Sequence, residues 1–537
     1  MNARLGGHVV AESLAALGAT DVFGVPGVHA LSVWDGLRAG PLRTLGMRTE
    51  LCAGFAADGY ARAGGRAAPL LLSTGPGALN SLTALMEAAS AHVPVVAISS
   101  QEPRALNGRG RGFLHELPDQ RAVFAPVVKR TWRAESADGL PELVAAAWRE
   151  ALTPPTGPTY LEIPVDVLEA PAAVAPPAAL DAAPPPPAAA RPEAVAAAAE
   201  ALAAAAGPVL WAGGGVERSG AWAELRALAE RLGAPVVTTY MGKGALPADH
   251  PLAVGSGCDE GAVRELLAEA DVVLAVGTEL GAETTGQYAL EFSGRLLHAD
   301  AAPGRIGATY PALGLVGDAA ATLAALLAAV PAGERDGAAR AAAVRERIAR
   351  GLDDAGHARE RGLLAAVAAA AGADAVIAWD MTILAYWAAA HFPQRRPRGF
   401  LYPLGSGTLG YAFPAALGAR AALPGVRTLA VAGDGGVLYA LQELASARQH
   451  RLPVTLVIVD DGGYGILREY QAGAYGRTHA VDLVTPDYAA VAAGFGVPAR
   501  TCDPDGCADA LAWASAHADG PSVVVVGATL GSAPVTP

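Results

Sequence analysis

Short apolar runs separated by helical patterns constrain this chain more than any other feature. The runs at 69–72, 93–99, 209–212, 235–239, 272–276, 296–299, 428–432 and 454–459 read as strands, with helical patterns such as 8–17 between them. Strands in that setting build parallel sheets covered by helices on both faces. The expected fold class is therefore α/β, with three doubly wound units of parallel sheet. A chain of 537 residues is long enough for about three to four domains.

The breaks between units are legible too. A first unit spans 1–168. The stretch 169–192 carries eight prolines, four of them consecutive at 184–187, and reads as an extended, semi-rigid linker rather than a helix or strand. A middle unit follows over 193–335, and a helical connector rich in Ala, Arg and Glu over 336–371 leads to a last unit at 372–537. In the middle unit Gly213-Gly214-Gly215 follows a strand as a dinucleotide loop would. Its G-x-G-x-x-G register is incomplete, which argues against FAD or another nucleotide there.

A hydrophobic content of 52% can fill several cores, and a net charge of −13 argues against nucleic acid or an anionic membrane as partner. No stretch of about 18 strongly apolar residues suggests a membrane span. Arg4, His8 and Glu12 interrupt the place of a signal-peptide core, so a cytoplasmic location is expected. Cys52, Cys258, Cys502 and Cys507 lack zinc-site spacing and read as reduced structural thiols.

Chemistry concentrates near the carboxyl end. Gly433-Asp434-Gly435-Gly436 closes the strand at 428–432, and Asp460-Asp461-Gly462-Gly463-Tyr464-Gly465 closes the strand at 454–459. Mg²⁺ takes oxygen ligands, commonly one or two carboxylates together with phosphate oxygens. Asp434 and Asp461, from neighbouring strand ends, suit that role, and the glycines would let backbone N–H groups approach a phosphate. A helix over 438–449 would turn its positive end toward the same anion. Glycine turns flanked by solvated acids would look similar if they stood alone.

They do not stand alone. Phe23-Gly24-Val25-Pro26-Gly27-Val28-His29, the run Arg48-Thr49-Glu50 through Arg62, and Ser73-Thr74-Gly75-Pro76-Gly77-Ala78-Leu79-Asn80 precede them in order. Together the motifs resemble the thiamine-diphosphate enzymes of the acetolactate synthase and 2-oxo acid decarboxylase superfamily, over nearly the whole chain. The resemblance implies a pyrimidine-binding first unit, a central Rossmann-like unit and a diphosphate-binding last unit. Thiamine diphosphate and Mg²⁺ would lie between the first and the last.

By that resemblance Glu50 hydrogen-bonds the pyrimidine N1′ and promotes loss of the thiazolium C2 proton. Taken by itself, Glu50 is a glutamate favoured by the dipole of a helix at 51–62. Leu409, in Ser406-Gly407-Thr408-Leu409-Gly410, would wedge the cofactor into its bent shape, and the Gly407 carbonyl would accept from its 4′-amino group. Pro26, Asn80, Gly433, Gly435, Gly436, Tyr464 and Ile466 complete the implied cofactor contacts. Asp434, Asp461 and the Gly463 carbonyl are the implied metal ligands. Most relatives carry Asn-Asn where this chain has Asp460-Asp461, and an Asp at 461 still supplies an oxygen ligand. A homodimer is the implied minimal active unit, with a homotetramer as the larger assembly.

Substrate choice rests on fewer residues. His29 and His115 occupy positions where relatives place polar active-site groups, and imidazoles suit proton transfer near neutral pH. Either could instead be a partly exposed loop residue, and His92 reads as structural. The run Gly108 to Gln120, with the other motifs, looks most like 5-guanidino-2-oxopentanoate (2-ketoarginine) decarboxylases. A guanidinium group pairs bidentately with carboxylates, and Glu116, Glu469 and Asp460 are available, unless they are merely solvated. Leu467 and Tyr470 would line the substrate pocket or join the core. The expected reaction is nonoxidative decarboxylation of a small 2-oxo acid to an aldehyde, through an ylid and an enamine. The alternative is carboligation of the acetolactate synthase type.

Overall fold

The computed structural model describes residues 4–517 and 519–533. Its first sheet contains β1 (Asp21–Gly24), β2 (Arg43–Gly46), β3 (Ala68–Leu72), β4 (Val95–Gln101), β5 (Thr131–Arg133) and β6 (Thr159–Pro164). All pairings are parallel, in the order β2-β1-β3-β4-β6-β5. The second sheet holds β7 (Val209–Ala212), β8 (Val236–Thr238), β9 (Ala253–Gly255), β10 (Val272–Val276), β11 (Arg295–Asp300) and β12 (Leu313–Val316). Its order, β12-β11-β10-β7-β8-β9, is that of a Rossmann sheet. The third holds β13 (Val376–Trp379), β14 (Phe400–Leu401), β15 (Thr428–Gly433), β16 (Val454–Asp460), β17 (Ala499–Cys502) and β18 (Ser522–Gly527).

That third sheet runs β14-β13-β15-β16-β18-β17, the same winding as the first. Two like units therefore flank a different one, as expected from the sequence. The central strands are apolar on both faces because both are covered: β3, β4, β7 and β10 are buried throughout. Besides β1, β2, β5, β6, β13, β14, β17 and β18, the edge strands β9 and β12 are absent from the runs singled out in the sequence. Each is only three or four residues long and partly exposed.

Between the units, residues 172–191 form neither helix nor strand. The expected connector is two helices, Gly337–Ala355 and Ala358–Ala371, broken where Gly356 takes a left-handed conformation. The helix expected over 438–449 is not continuous. Asp434–Val437 forms one helical turn, 438–442 are turns, and only Glu443–Gln449 is helical again. Among the described residues no helix is long and apolar enough to cross a membrane. All four cysteines are free.

The first and third units meet through two helices. Glu50–Gly64 starts at Thr49, whose side chain accepts from the Cys52 N–H, and ends at Gly65 in the left-handed region. Its partner is Ala412–Ala422. A Cβ at Gly59 would stand 2.1 Å from the Ala415 carbonyl oxygen, and one at Gly418 would stand 1.8 Å from that of Ala56. Backbone touches backbone, which only glycine permits at those two points.

A buried polar network crosses the same seam. Arg62 bonds Asp58 and Glu87 and donates to the Tyr402 carbonyl at 3.1 Å, while the Tyr411 hydroxyl donates to Asp58 at 2.7 Å. Asp58 and Glu87 are fully buried. Burial pushes the Asp58 carboxyl upward against the pull of Arg62. Buried charges of this kind are tolerated when paired and hydrogen-bonded.

Candidate functional site

Ligands of wound α/β sheets bind beyond the carboxyl ends of the strands, where the winding reverses direction. In the first unit that point lies between β1 and β3, and the Gly24–His29 and Ser73–Asn80 motifs leave the sheet there. A Cβ at Gly27 would collide with the Ser73 hydroxyl, and one at Gly77 would stand 3.1 Å from Glu50 Oε1. Glu50 opens its helix, half-buried, and accepts from Asn80 Nδ2 at 3.2 Å. Pro26 is exposed at the rim.

His29 and His115 are brought together, with ring centroids 5.4 Å apart, and Phe113 stacks on His29. The Nδ1 atoms of both are buried without a protein partner. Burial, and then the neighbouring His115, lowers the His29 pKa, disfavouring its charged form. His115 is itself left-handed, and its carbonyl lies where a Cβ at Gly75 would sit. Sequence reading missed Gln120. This fully buried amide accepts from the Gly75 N–H at 2.7 Å and donates to the Ser100 carbonyl and the Tyr160 hydroxyl, fixing the loop. His92 pairs with Glu279 of the middle unit at 2.9 Å.

In the third unit the reversal falls between β13 and β15. Asp434 is 2% exposed and accepts from the Gly463 N–H at 2.8 Å, while the Tyr488 hydroxyl donates to its carbonyl. Burial, followed by the charge of Asp461, pushes the Asp434 carboxyl up to about 6. Asp461 Oδ1 is buried with no partner, and Arg468 stands 3.7 Å from its other oxygen. A cation is what relieves two crowded carboxylates, and hard oxygen donors fit Mg²⁺. Among the described residues no three of His, Cys, Asp and Glu form a closed metal cage. Two carboxylates form an open set that a diphosphate would complete.

The glycines here serve close packing rather than unusual backbone angles. The Tyr464 ring lies 2.6 Å from where a Cβ at Gly435 would be, Thr382 crowds Gly433 at 3.0 Å, and Asp380 faces Gly436 at 3.5 Å. Asp380 accepts from the Met381 and Gly410 N–H groups, holding the Gly407-Thr408-Leu409 loop beside β13. Leu409 is half-buried and Gly407 exposed. Glu87 of the first unit accepts from the Ser406 N–H and hydroxyl, so this loop is also hung from the other unit. Neither Asp380 nor Glu87 carries a motif by which sequence could mark it.

The proposed guanidinium partners are committed elsewhere. Glu116 accepts from the N–H groups of Arg111, Gly112 and Phe113. Glu469 is bonded by Ser532, and Asp460 accepts from the Gly462 N–H and the Thr485 hydroxyl. Helix Gly465–Tyr475 contains no buried residue. Leu467 is 45% and Tyr470 63% exposed, so neither is core, while Ile466 packs partly against the third unit's core. In the middle unit the N–H groups of Gly213 and Gly215 are taken by the carbonyls of Val276 and Gly277, which withdraws them from any phosphate.

Three family profiles match the chain. They are "Thiamine pyrophosphate enzyme, N-terminal TPP binding domain" at 4–123, the "central domain" at 195–326 and the "C-terminal TPP binding domain" at 380–526. Among curated proteins, a "Probable 2-ketoarginine decarboxylase" of Pseudomonas aeruginosa is 40% identical, covering 92% of this chain and 89% of its own. An "Acetolactate synthase" of Mycobacterium bovis is 32% identical, over 97% of this chain and 88% of its own. The "Acetolactate synthase isozyme 1 large subunit" of Escherichia coli is 30% identical, over 94% and 90%.

Proposed function

The chain belongs to the thiamine pyrophosphate enzymes, and from that premise we propose that it decarboxylates a 2-oxo acid nonoxidatively to an aldehyde, with 5-guanidino-2-oxopentanoate as the substrate. The observation that carries the chemistry is the buried Asp434 carboxylate beside Asp461, whose Oδ1 has no protein partner, at the strand ends of a TPP-binding domain. The choice of substrate is supported by similarity along nearly the whole chain to a protein named for 2-ketoarginine.

In this reading Asp434, Asp461 and Gly463 would hold Mg²⁺, and Gly433, Gly435, Gly436, Tyr464 and Ile466 would line the diphosphate site. Glu50 would hold a proton at the aminopyrimidine, with Asn80 and Pro26 contributing to the same site, while Gly407 and Leu409 would support the cofactor from the third unit. Thiamine diphosphate, when bound, supplies the electron sink for loss of CO₂. His29 would accept a proton from the reacting group and return it, with His115 beside it.

Glu50 and Asp434 lie on different units, and the motif loops of both units carry exposed apolar side chains. Val28, Leu31 and Leu114 flank the two histidines in the chain, and Leu467 and Tyr470 follow the metal loop. Exposed apolar groups of this size favour cover by another chain. A homodimer pairing the first unit of one copy with the third unit of the other satisfies both halves, and two such dimers form a tetramer.

The deciding experiment incubates the protein with thiamine diphosphate, Mg²⁺ and a panel of 2-oxo acids, with and without aldehyde acceptors, while CO₂ and carbon products are followed. Aldehyde formed from 5-guanidino-2-oxopentanoate supports the reading. Hydroxyketone or acetohydroxy acid replaces it with carboligation, the activity named for the acetolactate synthase relatives. No CO₂ from any 2-oxo acid overturns both.

A further inference from the structure

Two units hold one loop. After β14 the chain turns at 404–406, the Gly407 N–H closes that turn onto the Pro403 carbonyl at 2.9 Å, and Gly407 is left-handed. Residues 407–409 then run between two fixed points. At the far point the Gly410 N–H donates to Asp380 of the same unit at 3.1 Å. At the near point stands Glu87, from helix Leu82–Ser90 of the first unit. One oxygen of its carboxylate accepts from the Ser406 N–H at 2.7 Å and from the Ser406 hydroxyl at 2.8 Å.

Glu87 is itself held fast. It is fully buried, and its other oxygen accepts at 2.9 Å from Arg62, which also bonds Asp58 and the Tyr402 carbonyl. The same helix presses on the turn directly: a Cβ at Gly405 would stand 2.7 Å from the Ser90 Cβ and 3.2 Å from both Glu87 oxygens. The span beyond is looser. The Thr408 hydroxyl bonds the adjacent Leu409 carbonyl at a long 3.4 Å, and the nearest neighbour of a Cβ at Gly407 would be the Met381 methyl, 3.9 Å away. Where 407–409 stand is therefore decided at the two ends. A buried carboxylate needs hydrogen bonds to offset the water it loses, and bonds to a charged acceptor are the stronger kind.

We propose that Glu87 is a positioning residue for the coenzyme: through Ser406 it fixes where the Gly407 carbonyl and the Leu409 side chain stand, and so sets the alignment in which the thiazolium C2 proton is lost. The proposal rests on the reading of Gly407 and Leu409 as coenzyme supports. With each cleft drawing on two copies, a first unit serves both clefts. It gives Glu50 to one and, through Glu87, steadies the loop of the other.

The test is deuterium exchange at the coenzyme C2. The protein is loaded with Mg²⁺ and saturating thiamine diphosphate in D₂O, quenched in acid and read by proton NMR. The C2 proton leaves and a solvent deuteron takes its place, so the step is followed with no 2-oxo acid present. Glu87→Gln should slow exchange about 10- to 100-fold, the size of a misplacement of about 1 Å. Ser406→Ala leaves Glu87 with Arg62 and with the Ser406 N–H, so it keeps the fold, and it should slow exchange about 3- to 10-fold. Ser406→Thr keeps the hydroxyl and should stay within about twofold of the parent, while the double variant Glu87→Gln/Ser406→Ala should be no slower than Glu87→Gln alone.

Leu409→Ala separates this inference from the reading beneath it. Slow exchange in Leu409→Ala with parental rates in Ser406→Ala and Glu87→Gln overturns the inference and leaves the loop its role. A parental rate in Leu409→Ala removes that role, and the inference with it. Slowing that Ser406→Thr does not relieve, or that is fully additive in the double variant, marks loosened packing between the units and also overturns it. Decarboxylation enters none of these measurements, so they decide the matter whichever 2-oxo acid is turned over, or none.

Discussion

Glu50 does nothing for its own unit that a glutamine could not do, since among the described residues its side-chain partner is the Asn80 amide at 3.2 Å. Glu50→Gln should therefore fold normally and bind coenzyme, yet lose about 10²- to 10⁴-fold in kcat, the range of a removed acid–base group; steady-state rates at saturating thiamine diphosphate check it. Glu217 behaves in the opposite way, being structural and badly placed for charge. It lies 8% exposed, accepting from the Arg398 N–H at 2.8 Å, and burial pushes its carboxyl up to about 8. Between about 4.5 and about 8 the folded chain keeps a proton that the unfolded chain releases, so stability falls as pH rises through that window and levels off above it. Glu217→Gln removes that slope: its Tm should gain on the parent's progressively from pH 5 to pH 8. Glu50 and Asp434 were legible because each sits in a motif of fixed local neighbours. Glu217, Glu87 and Gln120 were not, because their partners at Arg398, Ser406 and Gly75 are distant in the chain and a buried polar residue has no period.

At the scale of elements, the pair Glu50–Gly64 and Ala412–Ala422 is the tightest seam described. A methyl group at Gly418 meets a carbonyl oxygen rather than the tip of a flexible side chain, so the helices must separate to admit it. Gly418→Ala should destabilise the chain by about 1–3 kcal/mol, read from urea unfolding. An exposed helical glycine such as Gly473, which has open space around it, should be neutral or stabilised by the same change. The strands that sequence located well, β3, β7, β10 and β16, are central and apolar on both faces. The short edges β9 and β12 bury less and leave a weaker trace, whereas β1, β6 and β13 are as buried as the located strands and still escaped because runs of four to six residues carry little period of their own. The interrupted helix at 438–442 escaped for a related reason. Its apolar residues keep a helical period, but Leu438 and Tyr439 are exposed rather than packed.

For the whole molecule, the proposal that each cleft draws on two copies makes a quantitative prediction. Glu50→Gln and Asp434→Asn should each be nearly inactive alone. Mixed, dissociated and reassociated, they should recover roughly a quarter of parental activity. Half of the dimers are then mixed, and each mixed dimer has one of its two clefts intact. No recovery would mean that both residues serve the same cleft from one chain. The like winding of the first and third sheets was only partly visible in sequence, as repeated strand-helix alternation, because strand order leaves no local mark. Their joining helices add something further: Gly59 faces the Ala415 carbonyl and Gly418 faces the Ala56 carbonyl, a reciprocal exchange of the kind a two-fold axis produces. The polypeptide thus holds within itself the shape of a symmetric pair. In a true pair of identical partners, every substitution would have to suit both roles at once. Two halves carried on a single chain escape that restriction, because each can change without its counterpart changing with it.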